Sequence, residues 1–462
     1  MEFSAIERDV YNIMCLAAQK ITAKILEEED ERILHERDKN KYRSKGLRKT
    51  TVKTIYGDVN YMRRLYLDNT GKGVYLLDEE LRTKTDGSFS ENIVEAMLNL
   101  VTVNSYRSAA EAINKTTGTN VSHTAIWNIV SNIGSDISKS EEVQTSEEYD
   151  ENKKDVKVLF EEMDGVWLSM QDKNHKKTKK QELKVATIYE GWDAETGKHL
   201  VGKTLVAGME PAAEFIRKKE NAINKAYNID EIEYRILNGD GGKWIKDDAD
   251  NVIFQLDRFH IMQEINRKIE DKRAAKRIKT LFRQEKIDEM LEYITIYADS
   301  VDTNDSTDAK ANKARELYSY LYNNRGGLLP YQSSKRNVSL AEAPEGIVYK
   351  GMGVQENQNC SLITLRMKSG RMRWSVDGAN AMAKVLTAKS NGYLYDFIAK
   401  RYATPQVASL KHPTHIAEMS AAKVPAKAGK GCHYIDIINA AMPILDNSSS
   451  HTTKLLRRLI AG

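Results

Sequence analysis

The apolar positions change period several times along the chain, and each change marks an element. Over residues 4–35, Ile6, Val10, Ile13, Ala17, Ile21 and Ile25 recur every three or four positions with charges between them. That is an amphipathic helix with one face for a neighbour or a second subunit. Thr51–Ile55 and Val59–Leu65 are β-prone runs around Tyr56-Gly57-Asp58, which predicts a hairpin. From 90 to 134 the pattern becomes helical. Ser105–Asn114, a turn holding Gly118, and Val121–Val130 behind the N-cap Ser122 have the outline of a helix-turn-helix. In such a pair His123, Thr124 and Asn128 would face a major groove; small helical pairs are also common in any α-rich domain. The polar, acidic stretch Lys139–Lys154 reads as a connector.

Beyond residue 155 the period shortens to that of strands. Val156–Met170, Leu183–Trp192 and His199–Gly208 predict an antiparallel meander. Pro211 then opens a helix to about Tyr227, Tyr234–Leu237 is a short strand, Lys243–Asp247 resembles a helix, and Val252–Leu256 is a strand running into the helix Arg258–Ile269. The class is α/β, a mixed sheet flanked by helices. Its order matches, by analogy, an RNase H-like core. Residues 258–325 carry no strand signal and read as an all-α insertion, placed at about 270–335 and ended by Gly326-Gly327 and Pro330. Two more helices, Val354–Ser369 and Asp377–Ala388, follow. The expected division is residues 1–89 (helix and basic hairpin), 90–150 (helix-turn-helix-like, DNA-binding), 151–400 (catalytic, with the insertion) and a tail, 401–462.

Composition narrows the picture. A chain of 462 residues is too long for one ordinary core. The net charge of +4 excludes a histone-like polycation, so nucleic-acid binding has to come from local patches. The patches available are Arg37–Lys53, Lys173–Lys180 with Lys176, Lys177, Lys179 and Lys180, the cationic face of 267–283, and Arg366, Lys368, Arg371 and Arg373. Each is a candidate for phosphate contacts, and each also fits a solvated surface. Three scattered cysteines without a CxxC support neither a zinc ribbon nor a disulfide framework. With no signal peptide and no membrane-length apolar run, the expectation is a cytoplasmic, nucleoid-associated protein without a membrane segment.

The chemistry centres on Val158–Met170, where Asp164 interrupts an apolar strand. A charge there is costly without a partner, and a cation is one such partner. Two further acids stand at positions that converge in such a sheet: Asp240 after a strand, in Leu237-Asn-Gly-Asp-Gly-Gly242, and Glu356 at the start of a late helix. Glu345 and Asp377 are alternatives to Glu356. Two Asp and one Glu suit two Mg²⁺ or Mn²⁺ ions, which at a spacing of ~3.5–4 Å serve phosphodiester transfer. Without ions, three converging carboxylates would repel by roughly 4 kcal/mol per 4 Å pair at an effective dielectric of 20. Asp257 and His260 form a second pair at a strand-to-helix junction, where Asp257 also suits an N-cap. Taken singly, Asp240 also suits a turn and Glu356 a helix start.

Several motifs together resemble a known family. They are Lys53-Thr-Ile-Tyr-Gly-Asp-Val59 with Arg63 and Tyr66, Tyr75-Leu-Leu-Asp-Glu-Glu-Leu81, Glu162-Met-Asp-Gly-Val166, Asn238-Gly-Asp-Gly-Gly-Lys-Trp244, Leu256-Asp-Arg-Phe-His260 and Arg371-Met-Arg-Trp-Ser-Val-Asp-Gly378. Over nearly its whole length the chain resembles bacterial insertion-sequence transposases of the ISLre type, also catalogued as an uncharacterised protein family. The resemblance implies an RNase H-like core with a triad of Asp164, Asp240 and Glu356, and Asp257 and His260 as an auxiliary pair. It implies cleavage at the ends of an element and joining of the 3′-hydroxyls to target DNA, by a homo-oligomer on double-stranded DNA. A metal-dependent nuclease on the same scaffold and a non-catalytic DNA-binding remnant are the other readings.

Overall fold

The computed structural model describes residues 2–81, 88–142, 153–245, 249–302 and 309–402. The 401–462 tail, apart from its first two residues, and most of the 139–154 connector lie outside the described residues. The chain divides into two compact units. One runs to Val130 and takes in the segment from Leu394; the other is Ser131–Tyr393.

In the first unit, α1 (Phe3–Glu36) lies along a hairpin of β1 (Arg43–Thr54) and β2 (Gly57–Leu67). The hairpin is longer than the β-prone runs alone indicate, and Thr54 pairs with Gly57, so the turn falls on Ile55-Tyr56. Gly57 opens β2 at φ +121°, a conformation that favours glycine. Asp30 of α1 is fully buried and accepts from the Arg64 backbone N–H (2.9 Å) and guanidinium (2.7 Å), which fixes the helix on the hairpin. β3 (Gly73–Val74), α2 (Leu76–Glu80), α3 (Glu91–Val101) and α4 (Tyr106–Thr116) follow. α5 (His123–Ser140) starts in this unit and continues into the next. Ser122 caps it as the sequence indicates, accepting from the Ala125 N–H at 3.0 Å. Asn114 pins the α4–α5 turn through two bonds to Val121.

The second unit is built on a five-stranded mixed sheet. Its strands are β4 (Val158–Leu168), β5 (Gln181–Tyr189), β8 (Thr204–Gly208), β9 (Tyr234–Gly239) and β10 (Val252–Leu256). Their order is β10-β9-β4-β5-β8, with β6 (Gly191–Asp193) and β7 (Leu200–Val201) in a small side sheet. β4–β5–β8 is the antiparallel meander, and β9 and β10 run parallel to β4. α6 (Ala212–Ala226) follows the meander, with Pro211 at its N-cap. Lys243–Ile245 forms a turn, not the start of a helix; the adjoining residues lie outside the described set.

The all-helical stretch is present as α7 (Arg258–Lys268), α8 (Lys272–Arg283), α9 (Ile287–Ser300) and α10 (Ala309–Asn323). Its core, with Ile278, Ile294 and Leu317, is continuous with Leu256 and Ile261, so it packs on the end of β10. After β11 (Ile347–Val348), α11 (Gln355–Asn359) runs through a π turn, Cys360–Thr364, into α12 (Leu365–Met367). α13 (Val376–Ser390) packs against β8, and α14 (Leu394–Tyr402) against α3. Among the described residues no helix is long and apolar enough to cross a membrane.

β4 is central and buried on both faces, so its charges need internal partners. Glu161 points to the α6 side, where Lys219 and Arg235 enclose it. All three are buried. Burial alone would push the Glu161 carboxyl up, but the two cations overcome it and hold it at about 2. Its folded value lies below the unfolded one, so this stabilisation is present above about pH 4.5 and is lost as pH falls toward 2. Lys219→Met leaves the triad short of a cation. The expected cost is about 3 kcal/mol, read as a lower denaturant midpoint at neutral pH, with the gap to wild type closing in acid.

Candidate functional site

Met163 of β4 stands opposite Gly239, the last residue of β9, so the next positions, Asp164 in mid-β4 and Asp240, fall side by side just past the end of the β4–β9 pairing. Neighbouring strands lie ~4.8 Å apart. Glu162 and Asn238 bond across this face at 3.0 Å, and the two-residue period returns Asp164 to it. Asp240 folds its own turn, its Oδ1 accepting from the Gly242 N–H at 2.8 Å, and Tyr320 of α10 donates to its carbonyl at 3.0 Å. The helical insertion therefore braces the Asp240 loop.

Glu356 reaches the site through a residue that sequence reasoning passed over. Glu162 is fully buried and accepts from the backbone N–H groups of Gly353 (3.0 Å), Val354 (3.2 Å) and Gln355 (3.3 Å) at the start of α11. Tyr189 Oη (2.7 Å) and Asn238 Nδ2 complete its shell. Burial pushes the Glu162 carboxyl up, against the pull of these donors. A carboxylate at the positive end of a helix satisfies amides that have no partner within it. This clamp seats α11 on the central strand, two residues before Asp164, and leaves Glu356 exposed at the edge of the site.

Asp164 is itself well supplied with partners. Its Oδ1 accepts from the Gly165 N–H (2.8 Å), its Oδ2 from Asn359 Nδ2 (2.7 Å), and His260 Nε2 lies 4.0 Å from Oδ1. Burial pushes its carboxyl up to about 6; the charges of Asp240 and Glu356 push the same way, and His260 and the Gly165 amide pull against them. The carboxylates of Asp164, Asp240 and Glu356 are thus close enough for Asp164 to feel the other two. Of the three third-acid candidates, Glu345 sits in the loop before β11 and Asp377 in the first turn of α13, both exposed.

Asp257 fills both roles open to it. Its Oδ1 caps α7 by accepting from the Phe259 N–H, and its Oδ2 meets His260 Nδ1, each at 3.0 Å. The bond to Asp257, with the charge of Asp164 and then of Asp257 and Asp240, outweighs burial and holds the His260 imidazole up at about 9. It is a cation at neutral pH.

The site is a cluster of hard oxygen donors whose repulsion a divalent cation would relieve. That donor chemistry fits Mg²⁺ or Mn²⁺. Among the described residues no three His, Cys, Asp or Glu side chains are already gathered tightly enough to chelate one ion.

The expected phosphate contacts divide. Lys176, Lys177, Lys179 and Lys180 lie exposed on the loop after β4, without a carboxylate partner among the described residues. Lys368 and Arg373 are exposed as well. Arg366 is not: it is 4% exposed, with its guanidinium 5.4 Å from the Trp374 ring, and so packs inward. The Arg371 side chain lies outside the described set. In the first unit His123 and Asn128 are exposed on α5, as is Trp127 between them.

The description "Uncharacterised protein family (UPF0236)" matches residues 1–400. The chain belongs to this family. A relative named "UPF0236 protein in vanSb 3'region", from Streptococcus gallolyticus, is 25% identical over 410 residues, covering 86% of this chain and 85% of its own. A UPF0236 protein of Caldanaerobacter subterraneus subsp. tengcongensis, whose name joins eleven locus labels, is 23% identical over 373 residues, covering 79% and 73%. Among solved structures the Drosophila P element transposase strand transfer complex matches 71% of this chain and 85% of its own, at 12% identity and a TM-score of 0.23. A likeness of that extent does not bear on activity.

Asp164 gives a direct test of the electrostatics. Its folded carboxyl, at about 6, lies above its unfolded value, so the ionised form opposes folding, increasingly as pH rises from 4 to 6 and fully above that. Without divalent ions, the stability of Asp164→Asn relative to wild type is expected to rise by on the order of 2–3 kcal/mol between about pH 4 and about pH 8. Thermal melts at the two pH values read this. A gap that does not move in that direction contradicts the account of a buried carboxylate whose ionised form opposes folding.

Proposed function

We propose that the chain is a DNA transposase: an RNase H-like catalytic core that cuts at the ends of an insertion sequence and joins the freed 3′-hydroxyls to target DNA. The observation carrying this reading is the placement of Asp164 beside Asp240 by the β4–β9 register, with Glu356 on the helix that Glu162 seats against the same strand. Two divalent ions, when bound, supply the charge that activates the attacking oxygen and stabilises the leaving oxygen of a phosphodiester. The protein's own part is to hold the three carboxylates. Asp164 and Asp240 are fixed by the β4–β9 register, and Glu356 by the Glu162 clamp. The protonated His260, steadied by Asp257, offers a cation and a donor at the edge of this cluster for a phosphate oxygen.

Lys176, Lys177, Lys179, Lys180, Lys368 and Arg373 suit backbone contacts to double-stranded DNA, being exposed and cationic. His123 and Asn128 on α5 suit reading of the element's terminal repeats. The transposase acts as a homo-oligomer on paired ends. One relative's name joins eleven labels in a single strain, which suits a gene carried in many copies by a mobile element.

The deciding experiment gives the purified full chain Mg²⁺, paired element ends and a target plasmid. Joined products are expected, and Asp164→Asn, Asp240→Asn and Glu356→Gln should each abolish both cutting and joining. Cutting without joining would make the protein a nuclease. A mobility shift without chemistry in wild type would make it a DNA-binding remnant. A second expectation follows from the loop after β4. Changing Lys176, Lys177, Lys179 and Lys180 together to Gln should flatten the salt dependence of DNA binding by a slope of roughly 3–4 if all four touch phosphate. An unchanged slope would remove that loop from the interface.

A further inference from the structure

Three buried polar side chains run in single file from β5 to Asp164. Thr187, Gln355 and Asn359 are 0%, 2% and 4% exposed. Thr187 Oγ1 donates to Gln355 Oε1 at 2.7 Å. Gln355 Nε2 donates to Asn359 Oδ1 at 2.8 Å and also reaches the Val185 carbonyl at 3.4 Å. Asn359 Nδ2 donates to Asp164 Oδ2 at 2.7 Å. The direction of the file is not free. The Val185 carbonyl can only accept, so it requires the nitrogen of Gln355 on that side. The oxygen of Gln355 then faces Thr187, and Asn359 is left with its oxygen toward Gln355 and its nitrogen toward Asp164. Val185 is also the residue paired with Asp164 across the β4–β5 ladder, so the middle of the file and its end are tied to one cross-strand pair.

We propose that Thr187, Gln355 and Asn359 form an amide-orienting relay whose output, the Asn359 N–H, sets the rotamer in which Asp164 meets a divalent cation. Asn359 is a positioning residue in this scheme and touches neither DNA nor the reacting atoms. The inference rests on the reading of Asp164 as a metal ligand. Metal-binding carboxylates are themselves held by hydrogen bonds, and loss of such a bond weakens the ion. A neutral amide is the suitable donor here. It occupies Oδ2 without adding positive charge that would compete with the ion, and His260 already stands 4.0 Å from Oδ1. Placement on the helix supports the role. Asn359 follows Glu356 by three residues, so one helix, seated by Glu162, delivers both a carboxylate and the donor for its partner. The helix widens into its π turn at the very next residue, Cys360, a feature frequent at functional sites.

The test is Mn²⁺ binding to the full chain without DNA, by titration calorimetry near neutral pH, with thermal melts confirming that each variant folds. Wild type should bind Mn²⁺ and Asp164→Asn should not. Asn359→Leu, close in volume but without the amide, should weaken binding by about 10–100-fold. Thr187→Val, three hydrogen bonds from Asp164, should weaken it in the same direction, while Thr187→Ser, which keeps the hydroxyl, should match wild type. If wild type fails to bind Mn²⁺, or binds it regardless of Asp164, the metal reading falls and the relay with it. If binding depends on Asp164 but a folded Asn359→Leu binds like wild type, only the relay is overturned. Should Asn359→Leu not fold, the Thr187→Val and Thr187→Ser pair decides alone: equal affinities refute the relay.

Discussion

A buried carboxylate holding the start of a helix organises the second unit. Glu162 has no solvent exposure, yet it takes up three backbone amides of the Gly353–Gln355 segment together with Tyr189 and Asn238. Buried charge survives only when its hydrogen-bonding capacity is filled. Here the filling comes from chain about 190 residues downstream. Because the amides belong to a helix terminus, the contact fixes the position and the start of that helix on the central strand. Everything the helix carries, Glu356 and Asn359 among it, inherits its placement from Glu162.

Three acids within four residues of one strand thus meet three different environments. Glu161 faces α6 and is neutralised by Lys219 and Arg235. Glu162, on the opposite face, seats a helix. Asp164, on that same face but just past the end of the β4–β9 pairing, is given one amide from Asn359, one from its neighbour Gly165 and a distant imidazolium, and its charge is disfavoured chiefly by burial, with the charges of Asp240 and Glu356 adding to it. The difference is one of satisfaction. The first two carboxylates are held by contacts that have no use for a ligand. The third retains an electrostatic cost that a cation would lower.

The insertion and the sheet are joined at the same place. The helical core that begins with Leu256 and Ile261 ends with α10 laid against the Asp240 loop, where Tyr320 donates to the Asp240 carbonyl. A stretch that looks in sequence like an appended helical module therefore serves as a brace for the second acid. The same helices start from Asp257, whose two oxygens divide between capping α7 and holding His260.

The sequence by itself determined the elements and most of their order, because period and capping are local. The long first helix, the hairpin, the meander, the helical stretch and the Ser122 and Asp257 caps are all legible in runs of ten or twenty residues. It also marked Asp164, since a charge in an apolar strand stands out against its neighbours. At 243–245 the sequence suggests a helix and the structure has a turn, because a short polar run has too few residues for a helical period to be told from a turn. Only the tertiary structure decided the rest. Glu162 could be seen as acidic and in a strand, but its partners are amides far along the chain, and backbone groups leave no trace in residue identity. Asn359 and Gln355 are unremarkable polar residues until the fold stacks them between Thr187 and Asp164. Arg366 reads as a surface cation until Trp374 covers it. Pairing across long separations depends on register and packing, and those are properties of the assembled sheet.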